Sequence, residues 1–131
     1  MQLELLSPLH AVCRLEAGAE VPDWASGAVA GGVIALTRTP EELSIVCPED
    51  LVPSGLDRSG EWRVLRVAGT LDHGMTGVLA SLASPLAEAA IPIFAVSTFD
   101  TDYVLVPERG LEAAADALAE AGHEIDGLER D

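Results

Sequence analysis

The side chains best suited to hold a small polar ligand are concentrated in Ser97-Thr98-Phe99-Asp100-Thr101-Asp102, between the apolar runs 91–96 and 103–106. Ser97, Thr98 and Thr101 bring hydroxyls, and Asp100 and Asp102 bring carboxylates. A turn that only reverses the chain usually relies on Gly, Asn or Pro. A second set, Asp72-His73-Gly74-Met75-Thr76-Gly77, precedes an apolar helical pattern. Its two glycines let backbone approach a ligand closely. The free N–H groups and dipole of the adjoining helix start favour a carboxylate. An acceptor-only group such as Asp102 suits an ammonium or another cation. Loop and hairpin together therefore describe a site for a zwitterion, with its carboxylate on the helix start and its ammonium at the aspartate.

Plainer readings stand beside this one. Asp72 is also a helix N-cap residue. Gly74 and Gly77 also suit turn geometry and close packing, and Asp100 and Asp102 also suit a solvated turn. Phe99 and Tyr103 read as packing residues. Thr37, Arg38 and Thr39 form a counterpart turn that could line a second or shared site.

These loops need strands and helices to position them. Strands are expected over 9–15, 31–37 and 43–47, after a short Pro/Trp segment at 21–25 and the turn 39–42. The Gly/Ser/charge-rich stretch 53–60 reads as a linker. Residues 62–69 alternate as a half-buried strand. Val78, Leu79, Leu82, Leu86 and Ala89 recur at helical spacing over 76–89, with Pro85 expected to kink the last turn. The hairpin comes next. Leu111, Ala114, Ala115, Leu118 and Ala119 then mark a second helix closed by Gly122, and 123–125 starts a final strand. The order strand-helix-strand-strand-helix-strand is a split βαβ unit of the ferredoxin-like kind.

An internal repeat is visible. Residues 35–49 parallel 95–108: strand, polar turn, strand, Pro-Glu. The front ends match at an offset of 60 and the back ends at 59, so the two turns are expected to differ by one residue. The expected organisation is two modules, 1–59 abbreviated and degenerate and 60–131 complete.

Composition narrows the function classes. The 131 residues are 49% hydrophobic and 22% charged, enough for a buried core. Aromatics are 4%, so that core must be aliphatic. Twenty-two acidic against seven basic residues give a net charge of −15, which argues against nucleic acid and anionic membrane as partners. The start, Met1-Gln2-Leu3-Glu4-Leu5, lacks a basic n-region and an apolar h-region, and no apolar run is long enough to cross a bilayer. Cys13 and Cys47 sit in apolar runs and read as buried free thiols. A cytoplasmic protein is expected. His10, His73 and His123 are widely separated and neither cysteine has a CxxC or CxxH neighbour, so no metal is expected. Ser81 and Ser84 lack a G-x-S-x-G context. The chain has no G-x-G-x-x-G after a strand and no lysine at all, so neither catalysis nor a cofactor is expected.

The run 69–80, then Ser84-Pro85-Leu86-Ala87-Glu88-Ala89, then 91–107 resembles the ACT domain family, in the branch of small tandem-ACT proteins similar to the CASTOR-type arginine sensors. In the first half the resemblance rests on Ser44-Ile45-Val46-Cys47-Pro48-Glu49 and the general layout. It implies an α+β fold of tandem ferredoxin-like βαββαβ modules, an antiparallel sheet with helices on one face, and no catalysis. It further implies an amino acid or similar small effector bound between paired domains, a homodimer, and a regulated protein partner of unknown identity. The site expected on this basis comprises Asp72, His73, Gly74, Met75, Thr76, Gly77, Ser97, Thr98, Asp100, Thr101 and Asp102. The alternative is an ACT-like protein–protein interaction module that holds no ligand.

Overall fold

The computed structural model describes residues 1–27, 29–71 and 74–128. The chain divides into two compact units, one of Met1–Leu6 with Arg63–Asp131 and the other of Ser7–Trp62. The second unit is thus inserted into the first. The expected division at 59/60 assigned residues 1–6 to the first module, whereas strand β1 (Gln2–Leu5) belongs with the C-terminal segment.

In the larger unit, β1 lies between β5 (Asp57–Val67) and β8 (Glu124–Asp126). It runs antiparallel to β5 (Leu3 opposite Val67) and parallel to β8 (Leu3 opposite Ile125). On the other side of β5 come β7 (Asp102–Pro107) and then β6 (Phe94–Ser97) at the edge. Helices α1 (Val78–Glu88) and α2 (Leu111–Glu120) contribute Leu82, Leu86, Ala114 and Leu118 to one aliphatic core. That core also holds Leu3, Leu65, Val67, Val104 and Val106, which alternate along their strands, so both helices cover the same sheet face. This is the expected α+β ferredoxin-like module, with the N-terminal strand added to its sheet.

Pro85 lies inside α1 rather than ending it, and the helix continues to Glu88. Proline brings no N–H for the carbonyl four residues back, which here is that of Ser81. The buried His123 supplies the missing donor: its Nε2–H donates to the Ser81 oxygen at 2.9 Å. Both helices end in the same hydrogen-bond pattern. Ala90 donates to the Ala87 carbonyl and Ile91 to that of Leu86; Gly122 donates to Ala119 and His123 to Leu118. The left-handed residue is Ala90 (φ 59°) in the first case and Gly122 (φ 95°) in the second.

The smaller unit carries β2 (His10–Leu15), β3 (Ala35–Arg38) and β4 (Leu43–Pro48), ordered β3-β4-β2 with the first half of β5 beyond β2. Part of the expected linker 53–60 is strand, because Asp57, Arg58 and Ser59 pair with β2. The second expected strand shortens from 31–37 to β3, since Gly31 adopts φ 73° and Gly32 fits under the His10 ring. No α-helix occurs among this unit's described residues, only 3-10 turns at Asp23–Ala25 and Glu49–Leu51. Its core is Ala11, Cys13, Ala25, Leu43, Ile45, Cys47 and Val52. Both cysteines are free and buried, and burial pushes the Cys47 thiol up to about 12. His10 is fully buried. Its Nδ1–H donates to the Pro8 carbonyl at 2.9 Å and its Nε2 accepts the Val33 N–H at 3.1 Å. Burial holds this imidazole below the usual histidine range. No described helix is long and apolar enough to cross a membrane.

The repeat holds at one offset throughout. β3 and β4 map onto β6 and β7 by 59 residues at every pair: Ala35 to Phe94, Arg38 to Ser97, Leu43 to Asp102, Pro48 to Pro107. The two turns have equal length, in contrast to the expected one-residue difference. Matching Ala35 with Ala95 follows side-chain identity, but strand register is set by pairing.

Candidate functional site

The β6–β7 hairpin is closed by the turn Thr98-Phe99-Asp100-Thr101. The Thr98 N–H donates to the Thr101 carbonyl at 2.9 Å. The Thr98 hydroxyl donates to the same carbonyl at 3.1 Å and accepts the Thr101 N–H at 3.3 Å. Such a hydroxyl-closed turn replaces the Gly or Asn of an ordinary hairpin. Thr101 is 3% exposed, and its hydroxyl donates to the Val67 carbonyl at 2.8 Å, fastening the turn to the end of β5. The loop leaving β5 is joined to the turn by the Leu71 N–H, which donates to the Asp100 carbonyl at 2.7 Å. Loop and hairpin do come together.

Between them lies a cavity of about 160 Å³. Asp100, Asp102, Thr98 and Thr101 form its polar lining, and Leu71, Met75, Val78 and Phe99 its apolar lining. None of these residues is cationic. Val78 is the first residue of α1, and Gly77 before it adopts φ 75°, with no side-chain cap among the described residues. The first N–H groups of a helix have no intrahelical partner. The cavity therefore brings carboxylates of the turn, the first residue of α1 and apolar side chains together. Arg66 pairs with Glu4 at 2.7 Å, and its side-chain hydrogen bond with Tyr103 is the largest of the effects that raise this guanidinium.

Of the expected site residues, Met75, Thr98, Asp100, Thr101 and Asp102 line the cavity. Gly74, Thr76, Gly77 and Ser97 do not; Gly77 instead starts α1, and Ser97 pairs with Asp102 across the hairpin. Asp72 and His73 lie outside the described residues. Three lining residues fall outside the expected set. Leu71 and Val78 carry only apolar character, which reads as core. Phe99 reads as a packing residue in the sequence, yet it is 81% exposed; a large aromatic in a short polar turn was the available signal. Among the described residues, no cluster of His, Cys, Asp and Glu could hold a metal.

The counterpart turn of the smaller unit has the same closure. The Thr39 N–H donates to the Glu42 carbonyl at 2.9 Å, and the Thr39 hydroxyl oxygen accepts the Glu41 and Glu42 N–H groups. Arg38, at the position of Ser97, donates to the Ala17 and Ala19 carbonyls, each at 2.7 Å.

Comparisons with known proteins bear on the family and the fold. The family model for the ACT domain matches residues 58–120. A second family model, described as an N-terminal domain, matches residues 9–55. The human protein "Cytosolic arginine sensor for mTORC1 subunit 1" is 40% identical over 73 residues, covering 54% of this chain and 22% of that protein. The human "Putative protein CASTOR3P" is 32% identical over 97 residues, covering 64% of this chain and 60% of that protein. The chain thus spans about a fifth of the length of the arginine-sensor relatives it matches. The crystal structure of protein Atu0741 from Agobacterium tumefaciens covers 99% of this chain, and the chain covers 94% of it, with 40% identity and a TM-score of 0.88. The regulatory subunit of aspartate kinase from Thermus thermophilus shares the fold at a TM-score of 0.61 and 14% identity, over 92% of this chain and 96% of that one. The family match lies on the segment that builds the β6–β7 hairpin, both helices and the cavity, and on that ground residues 58–120 belong to the ACT domain family.

Proposed function

We propose that this chain is a regulatory module that binds an amino acid in the cavity between the loop after β5 and the turn 98–101, and that it does so without catalysis. The observation that carries the reading is that Asp100 and Asp102 line one cavity beside the start of α1, with no Arg, Lys or His among its described lining residues. Two carboxylates in one small site select a cation, and apolar Met75, Val78 and Phe99 accept the methylenes that carry it. The arginine-sensor relatives make L-arginine the ligand to test first. The regulatory output passes through association, with a second copy of the chain as the first partner to examine.

The test is a thermal-shift and calorimetric titration of the whole chain with L-arginine, L-lysine, L-leucine and L-glutamate. L-Arginine should raise Tm in a concentration-dependent way, because a ligand that binds only the folded state stabilises it by mass action. Asp102→Asn should weaken binding about tenfold or more, the usual loss for a charge-assisted hydrogen bond. A flat response to all four amino acids overturns the reading. It would favour an interaction module, which the 81% exposure of Phe99 and the internal use of the Thr98 and Thr101 hydroxyls also suit.

A further inference from the structure

The smaller unit has a groove of its own, remote in sequence from the hairpin turns. β4 and its 3-10 turn match β7 and the 3-10 turn Glu108–Gly110 residue for residue. Beyond these turns the two units diverge. Leu111 begins α2, while Val52 begins an irregular stretch that leads into β5. Beside that helix-free stretch opens a groove of about 520 Å³, lined by Pro8, Leu9, Glu49, Asp50, Val52 and Arg58. Pro8, Leu9 and Val52 form apolar surface. Glu49, Asp50 and Arg58 bring both signs of charge, and no ion pair among the described residues uses any of the three.

Glu49 is held in place. Its Oε2 accepts the Glu61 N–H at 3.1 Å, and Gly60 passes so close that a Cβ there would come within 3.2 Å of Oε1. Glu61 reaches this position with φ 62°, a left-handed conformation that is unfavourable for a residue with a Cβ. Such strain persists where the surroundings impose it and collects at ligand sites. Here it directs an amide at the carboxylate and leaves Oε1 available.

We infer that this groove is a second binding site, for a small zwitterion with an aliphatic side chain. Arg58 takes the α-carboxylate, Asp50 and Glu49 Oε1 take the α-ammonium, and Leu9 and Val52 carry the side chain. The site is independent of the hairpin cavity, whose described lining residues include no arginine.

The test is an NMR titration of the ¹⁵N-labelled full chain with L-leucine. The Glu61 amide, bonded to Glu49, reports directly on the groove. Saturable shifts at Gly60, Glu61 and Val52 are expected, unchanged in Asp102→Asn and weakened about tenfold or more in Arg58→Gln. Arg58 is exposed, so the spectrum of the free variant shows directly that the fold is intact. Leucinamide, which lacks the carboxylate, and 4-methylpentanoate, which lacks the ammonium, should each bind about tenfold more weakly or less well still. Shifts confined to 98–102, no shifts below about 10 mM, or equal binding of 4-methylpentanoate each overturn the inference.

Discussion

The two hairpins share one frame and close it in opposite ways. β3–β4 and β6–β7 have the same lengths, the same register at an offset of 59 residues, the same threonine-closed turn and the same Pro-Glu 3-10 turn after the second strand. The smaller unit has no α-helix among its described residues, and side chains do the fastening. Arg38 holds Ala17 and Ala19, and His10 holds Val33. In the larger unit the hairpin faces the loop that leads into α1. Fastening there is by backbone and by a buried hydroxyl, and a carboxylate-lined cavity stays open. The smaller unit's turn is flanked by a guanidinium bound to the Ala17 and Ala19 carbonyls, whereas the matching position beside the larger unit's turn is Ser97.

If side chains fasten where regular structure fails, the larger unit should depend on one at the gap left by Pro85. His123→Leu keeps bulk but removes the donor to the Ser81 carbonyl, at a cost of about 1–3 kcal/mol for a buried acceptor left unpaired. In a Pro85→Ala background the new N–H can take that carbonyl. The same His123→Leu change should then cost about 1 kcal/mol less, as a urea-denaturation double-mutant cycle will measure. Equal costs in both backgrounds would break the comparison, because His123 would then act by packing or through the Met1 ammonium, whose hydrogen bond its Nδ1 accepts at 3.0 Å, and not by filling the gap.

Much of this was legible in the sequence, for identifiable reasons. The β6–β7 hairpin and both helices announce themselves by local periodicity, since Val104 to Val106 and the spacing of Val78, Leu82 and Leu86 need no distant partner to be read. β1 escapes because four residues carry too little pattern, and its place between β5 and β8 depends on partners more than sixty residues away. Asp57 to Ser59 read as linker because their side chains are exposed and polar, although their backbone pairs with β2. At the site, Asp100, Thr101 and Asp102 stood out because polar groups are conspicuous in a turn. Leu71 and Val78 did not, because an apolar side chain lining a cavity looks the same in sequence as one in a core.

Arg38→Ala removes two charge-assisted bonds from an exposed side chain. The expected loss is about 1 kcal/mol, with faster amide exchange over residues 17–19, whereas Ser97→Ala at the matching position should fall within about 0.5 kcal/mol of the parent. Similar losses for both substitutions would mean that the guanidinium closes nothing and that the two turns differ less than their contacts suggest.

The smallest effect concerns the two helix ends, where the same hydrogen-bond pattern meets different residues. Gly122 reaches φ 95° without a side chain to strain, whereas Ala90 holds φ 59° against its own Cβ. The left-handed conformation costs an alanine roughly 1–2 kcal/mol, and glycine's greater freedom in the unfolded chain offsets part of any relief. Ala90→Gly should therefore stabilise the protein by about 0.5–1 kcal/mol, read as a rise in the urea midpoint at unchanged slope. Gly122→Ala should destabilise it by a similar amount, since no atom lies within 4 Å of the added Cβ and backbone strain alone sets the cost. Opposite signs from two changes between the same two residue types would establish that both helices need the left-handed residue, and that only α2 has the one suited to it. A destabilised Ala90→Gly would instead place the value of Ala90 in its side chain, and the equivalence of the two helix ends would fail.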